Sequence, residues 1–433
     1  MSSRFIRKLS LVPLLVLFVA VGTAPGETLQ ECLAQGLQSG RNAQLLKAEL
    51  DQQRATLGMT RAEFQPKATV TQDSKGRKSM RLADRLSSRT QVSASLAEDD
   101  GGARSELVSL SQSVFVGNAV ELSRARLHWQ GARLQYEQGL EEFKFSVIRK
   151  FYEVVRAQER IKTLQESVER WGRALTFAEV KFTLGTTNKI DVLNTKVNQG
   201  NAENALLAEQ QSLSRLGDEL KDLIGVELTR PLTATESLDF TKVETNQVAI
   251  ERREVAAEKL KVELARVSLH DARERARPDI RLDTSYRSNR GGAYVINDQL
   301  VQSTDSEVVA AVSYNFQLGK RADEYDRDRL VRALDSARLA LESQRVAVDR
   351  EHRDILRSLE LKERAIRTAK ESLDQARESY DFSLEAFQKG MISSLDLRDS
   401  QDKLTQARDN LTSLLIDYRI AKYQYVKVLG GTL

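Results

Sequence analysis

The chain has 433 residues, 66 basic and 62 acidic side chains, a formal net charge of +4, and only five prolines, three histidines and one cysteine. A single cysteine, Cys32, excludes an internal disulfide framework and any cysteine-based zinc or iron–sulfur site. His128, His270 and His352 lie far apart, and no nucleophile elbow, phosphate loop or dinucleotide fingerprint is present, so neither an enzyme nor a cofactor or metal site is expected.

Arg4, Arg7 and Lys8 precede an apolar run from Leu11 to Val21 and then small residues up to Gly26, the order of a secretory signal. The run is too short to cross the ~30 Å of bilayer hydrocarbon as a helix. Residues 1–26 are therefore expected to be removed on export, which leaves 63 basic against 62 acidic residues and no charge signal for nucleic acid. Beyond the signal no stretch of 18 apolar residues occurs, so any entry into a membrane must be by strands.

The scarcity of proline, against a usual ~5%, favours long helices. The first is read from Thr28 to about Phe64, ahead of Pro66. A β-hairpin is expected over 67–116: Val108, Leu110, Val114 and Val116 alternate with Ser109, Ser111 and Ser113. Its outer face at Ala68, Val70 and Gln72 is thinly apolar. The charged stretch containing Lys75, Arg77, Lys78, Arg81, Asp84 and Arg85 reads as a long extracellular loop, with extra strand pairing around Gln91 to Leu96. From Asn118 to Leu184 one helix of about 100 Å follows. It breaks at Gly185, with a tip turn near 185–190, and a shorter helix ends at Val226.

A polar segment with Pro231, residues 227–246, reads as a linker, and the plan then repeats over 247–433. A helix ends before Pro278, a β-hairpin occupies 279–318, a long helix covers 320–389, and a tip turn near 390–395 precedes a last helix. Phe177, Phe182, Gly185, Asp191, Ala202 and Leu206 recur 205 residues later as Phe382, Phe387, Gly390, Asp396, Ala407 and Leu411, so 27–226 and 247–433 are two copies of one unit. Leu404, Ala407, Leu411, Leu414, Tyr418, Ala421 and Tyr425 follow steps of three and four, a seam for packing against another helix. A soluble coiled coil explains these seams equally well. In the second hairpin Val308, Ala310, Val312, Tyr314 and Phe316 share one face and Val309, Ala311, Ser313, Asn315 and Gln317 the other. Such strands suit a membrane barrel with a wet lumen or a soluble half-buried sheet. Four of them cannot close a barrel of eight or more strands, so a membrane-spanning form must be an oligomer.

The sequence resembles the TolC family of outer-membrane efflux proteins. The resemblance rests on Leu29-Gln30-Glu31-Cys32-Leu33, Pro66, Leu110-Ser111-Gln112, Gly117, the Phe182-x-x-Gly185-x-x-x-x-x-Asp191-Val192-Leu193 motif with its second copy from Phe387 through Gly390 to Asp396-Leu397, and the endings Leu223-Ile224-Gly225 and Val428-Leu429-Gly430. It implies a mainly α protein with a membrane β-barrel portion: a homotrimer whose four strands per chain build a twelve-stranded barrel in the outer membrane, over a trimeric α-helical tunnel in the periplasm. It implies outer-membrane lipid, a periplasmic adaptor and an inner-membrane pump as partners, with substrates passing through passively in efflux or type I secretion. The alternative is a periplasmic coiled-coil adaptor or scaffold without an embedded barrel.

Asp396 and Asp399, three apart on one helix face, match positions where similar proteins place lumen-facing aspartates at the periplasmic entrance. In a trimer they would form two acidic rings that attract cations and raise one another's pKa values. Asp191, the first-repeat equivalent of Asp396, is expected to brace the tip turn or act as a secondary gate. Leu184-Gly185-Thr186 and Lys389-Gly390-Met391 are the expected adaptor-docking turns. Phe387 stands where some relatives carry Tyr and Ile392 where they carry Arg, so the closing contacts of those relatives are not expected here.

Overall fold

The computed structural model describes residues 28–62, 65, 67–72, 78–85, 90–98, 104–113, 120–229, 234–243, 252–275, 279–296, 299–315 and 321–431. The export signal, all five prolines, Gly117 and Gly319 lie outside these residues.

The first helical stretch is two helices, α1 (Leu29–Ser39) and α2 (Arg41–Ala62), where one was expected. Thr28 and Glu31 cap α1 reciprocally as a capping box, and the break falls at Gly40, whose backbone is extended. A Cβ at Gly40 would lie 2.4 Å from the Gly36 carbonyl oxygen and 3.1 Å from that of Leu223. Only glycine lets the turn press against the end of the neighbouring helix.

Two antiparallel helical hairpins form the body. The first is α3 (Val120–Thr183) with α4 (Lys189–Ile224); the second is α6 (Arg321–Lys389) with α7 (Ser394–Val428). Helix α3, with 64 residues, is about 96 Å long at 1.5 Å per residue. Between the hairpins in sequence stands α5 (Arg253–Arg275), which packs on α3 and α6. The predicted α7 seam packs as its period requires, with Leu404, Tyr418, Ala421 and Tyr425 buried and Ala407, Leu411 and Leu414 half-buried.

The central core gathers Cys32, Phe143, Val147, Ile148, Phe151, Tyr152, Leu220, Ile224 and Ile416, from α1, α3, α4 and α7. Residues 234–243, read from sequence as part of a linker, are strapped onto it. Glu236 accepts from the Tyr152 hydroxyl at 2.7 Å, the Val243 amide donates to the Tyr418 hydroxyl at 3.1 Å, and Phe240 tilts on Tyr418. No described helix is long and apolar enough to cross a membrane.

One six-stranded antiparallel sheet lies at the opposite end of the helices from their tip turns, in the order β1-β2-β3-β4-β5-β6. Its strands are β1 (Lys67–Gln72), β2 (Lys78–Arg85), β3 (Thr90–Glu98), β4 (Arg104–Ser113), β5 (Asp279–Ile296) and β6 (Gln299–Asn315). Four strands per chain were expected, and the described residues form six. Part of the segment read as an extracellular loop, 78–85, forms β2, and the extra strand pairing expected around Gln91 to Leu96 is present as β3. Arg81 lies on one face while Met80 and Leu82 lie on the other. Helix α2 leads to β1, β4 to α3, α5 to β5 and β6 to α6. The two sequence repeats join within the sheet through β4 and β5, where Ser109 pairs with Ser285.

Candidate functional site at the helical tip

Both hairpins turn in the same way. At the end of α3 the Gly185 amide donates to the Phe182 carbonyl at 3.0 Å and the Thr186 amide to that of Lys181 at 2.9 Å. At the end of α6 the Gly390 amide donates to Phe387 at 3.1 Å and the Met391 amide to Ala386 at 2.9 Å. These are Schellman closures, which need a left-handed residue at the glycine position. Gly185 and Gly390 supply it with φ of +71° and +78°. Three residues on, Asn188 and Ser393 cap α4 and α7, accepting from the Asp191 and Asp396 amides at 2.9 and 3.3 Å. Each feature recurs at the 205-residue spacing of the sequence repeat. Leu184 and Met391, 70% and 73% exposed, carry bare apolar side chains at the two turns. Thr186 folds its hydroxyl back to the Lys181 carbonyl, and Lys389 pairs with Glu385 one helical turn back.

The acidic residues divide by role. The Asp396 carboxylate accepts from the Ser393 amide at 3.0 Å and the Ser393 hydroxyl at 2.7 Å, completing a capping box. The Ser393 hydroxyl first, and its backbone amide second, hold the Asp396 carboxyl below the usual carboxylate range, opposite to the rise that mutual repulsion in a ring would cause. Asp399 is exposed and pairs with Lys403 at 2.6 Å, one turn on. Asp191 points across the tip. It accepts from Thr187 at 3.0 Å and from Ser394, the first residue of α7, at 3.4 Å, linking the two hairpins.

The principal cross-hairpin contact was not singled out in the sequence. The Lys181 ammonium donates to the Phe387 carbonyl and lies 5.0 Å from the centroid of the Phe387 ring. That ring is buried with Trp171, Ala174, Ala178, Tyr380, Leu397 and Leu404, and Ile392 packs against the cluster. Further along, Gln401 donates to the Ser167 hydroxyl at 3.0 Å, Glu166 bridges Arg408 and Arg170, and Arg160 faces Asp409 at 3.9 Å. Arg160, Ser167, Ala174 and Lys181 fall seven residues apart, so one stripe of α3 faces the second hairpin throughout. The visible signal was asymmetry: the repeat-equivalent of Lys181 is Ala386. Among the described residues no group of three or more His, Cys, Asp or Glu side chains is placed to hold a metal ion.

This architecture, a duplicated pair of helical hairpins carrying an antiparallel sheet, has a clear counterpart. The outer membrane efflux protein family matches the chain over residues 35–226 and 245–431. The chain belongs to that family. Solved structures share its fold. VceC of Vibrio cholerae superposes with a TM-score of 0.73 at 14% identity, covering 93% of this chain and 96% of that one. CusC gives 0.72 at 14% identity over 93% and 92%, and CmeC of Campylobacter jejuni 0.72 at 13% over 94% and 86%. No curated protein matches the chain. The family consists of outer-membrane channel proteins rather than enzymes. This member is accordingly an outer-membrane efflux duct with its helical part in the periplasm, and the reading as an adaptor or scaffold is not favoured.

Proposed function

We propose that three copies of this chain assemble into a passive exit duct, with the sheets side by side in the outer membrane and the helical hairpins forming one tunnel beneath them. Substrates enter at the tip from an inner-membrane pump and leave through the barrel. A periplasmic adaptor docks on the turns Leu184-Gly185-Thr186 and Lys389-Gly390-Met391. Asp396 and Asp399 face the narrowed lumen as two acidic rings. Asp191 braces the tip from outside them.

The observation that carries this reading is the doubled tip: two identically closed turns, each with a bare apolar side chain beside its glycine. The exposed Leu184 and Met391 side chains, one at each turn, offer apolar contact to the face of a partner helix. The test is a deletion strain complemented with Leu184→Asp plus Met391→Asp. The trimer is expected to assemble in the outer membrane while resistance to drugs or metals, or protein export, falls to the level of the deletion. Full complementation would remove the docking assignment. Chemical crosslinking that gives no trimer from the unmodified protein would remove the duct.

A further inference from the structure

The sheet departs from the twelve-stranded expectation, and the departure is regular. In the ladder, the row Ala68, Leu82, Ala94, Val108, Tyr286 and Val308 crosses all six strands on one face. The adjacent row on the other face reads Thr69, Arg81, Ser95, Leu107, Arg287 and Glu307. Met80, Val92 and Leu96 extend the apolar face into β2 and β3, with the charged positions 78, 84 and 98 of that face toward the strand ends and Glu106 beside Leu96. Ser79, Ser93, Ser109 and Ser285 extend the hydrophilic one, where Ser93 meets Ser109 at 2.6 Å and Thr71 meets Ser79 at 2.5 Å through their hydroxyls. A loop outside the bilayer gains nothing from this alternation. A strand with lipid on one face and water on the other requires it.

The edges point to what closes the sheet. Among the described residues β1 and β6 each pair on one side only, and Val70 and Val312 on these edges are both 72% exposed. β1 leaves the helices and β6 returns to them, so β6 of one copy meets β1 of the next antiparallel, with both apolar faces turned the same way. β2 and β3 join no helix; they are a hairpin inserted between strands that do.

Resting on the trimer proposed above, we infer that three copies close a barrel of eighteen strands through three β6–β1 seams, each edge strand taking a second copy of this chain as its partner. Eighteen is even, as antiparallel closure demands. Barrel diameter grows roughly linearly with strand number, so this one is about one and a half times as wide as a twelve-stranded barrel, in the range that leaves an open aqueous channel. The tunnel beneath keeps the same helices. The six strands of the inserted hairpins end at the periplasmic rim with no helix below, and the lumen they widen is lined mainly by serine and threonine hydroxyls with scattered charges.

The full-length protein in nanodiscs tests this with nitroxide labels at Val92→Cys, Ser93→Cys, Ala94→Cys, Ser95→Cys and Leu96→Cys, one at a time in a Cys32→Ser background. Labels at 92, 94 and 96 are expected to be relaxed by oxygen and shielded from a water-soluble nickel chelate, with 93 and 95 the reverse. Uniform access to the chelate in a particle of trimeric mass overturns the eighteen-stranded barrel and leaves the trimer standing; a particle of any other mass overturns both. Barrel density of the same trimer in electron cryomicroscopy is expected to show eighteen strands, and twelve would be decisive against the seam.

Discussion

The Lys181 ammonium engages Phe387 twice, donating to its carbonyl oxygen and lying over its ring at 5.0 Å from the centroid. One flexible side chain on the first hairpin thus holds both the backbone and the side chain of a single residue on the second, just before the Gly390 turn. A cation–π contact contributes about 0.5–1 kcal/mol and a net hydrogen bond about 1 kcal/mol, so the pair biases the tip toward the joined state by on the order of tenfold. Lys181→Met should let the two hairpins separate more often. Cells carrying it are expected to become more sensitive to a bulky antibiotic that the outer membrane normally excludes. Lys181→Arg should restore exclusion, and equal sensitivity of all three strains would count against a latch.

The acidic rings are tested by removing charge without removing the helix cap. Asp396→Asn keeps an oxygen acceptor for Ser393, whereas alanine would unpick the capping box and confuse the result. Asp396→Asn with Asp399→Asn should relieve block by multivalent cations and raise single-channel current in a planar bilayer. Unchanged block would place these carboxylates away from the ion path.

Acid should loosen the start of α7 selectively. Because Asp396 is held below its ordinary value by Ser393, its contribution is present above the unfolded-state pKa, about 3.9 for Asp, and is lost as pH falls through the folded value. Hydrogen exchange at residues 394–397, corrected for intrinsic rates, is expected to accelerate only as pH falls below about 4, from the unfolded-state value down through the lower folded one. Ser393→Ala should shift the transition upward in pH; a transition that does not move would detach it from the cap.

Two glycines of the same backbone type should respond differently to alanine. Gly185 and Gly225 both have φ of +71°, but a Cβ at Gly185 meets nothing within 4 Å while one at Gly225 would lie 2.2 Å from the Ser39 carbonyl oxygen. Gly185→Ala is expected to cost only the left-handed penalty of about 1–2 kcal/mol and to leave the oligomer assembled. Gly225→Ala must also push α1 off the end of α4, and is expected to lower the melting temperature further and deplete the protein from the outer membrane. Equal losses in a thermal unfolding series would refute the distinction.

Much of the helical architecture could be read from spacing alone. The offset between Gly185 and Gly390 reappears in Gly225 and Gly430, and these are the positive-φ glycines of the described chain. The sequence repeat is therefore a repeat of backbone turns. Phe387 and Ile392 were legible as departures from relatives, yet their replacement for the missing contacts was not, because Lys181 lies 206 residues away and its role depends on how the hairpins pack. The break at Gly40 was hidden for the same reason: its cause is the end of α4. The strand count was missed at β2, whose charged residues made it look like loop although pairing around Gln91 to Leu96 was expected, and only the cross-strand register separates Arg81 from Met80 and Leu82.

The β4–β5 ladder sets an order of events. Ser109 cannot find Ser285 until every residue of α3, α4 and α5 has been made and moved out of the way, so this pairing closes a very long loop and is intrinsically slow. The first four strands must wait, exposed at their β4 edge, while the second half of the chain is still being exported. Assembly in the bilayer is therefore a late, whole-chain event, and the interval before it is when these strands most need a chaperone to keep them from pairing with the wrong edge.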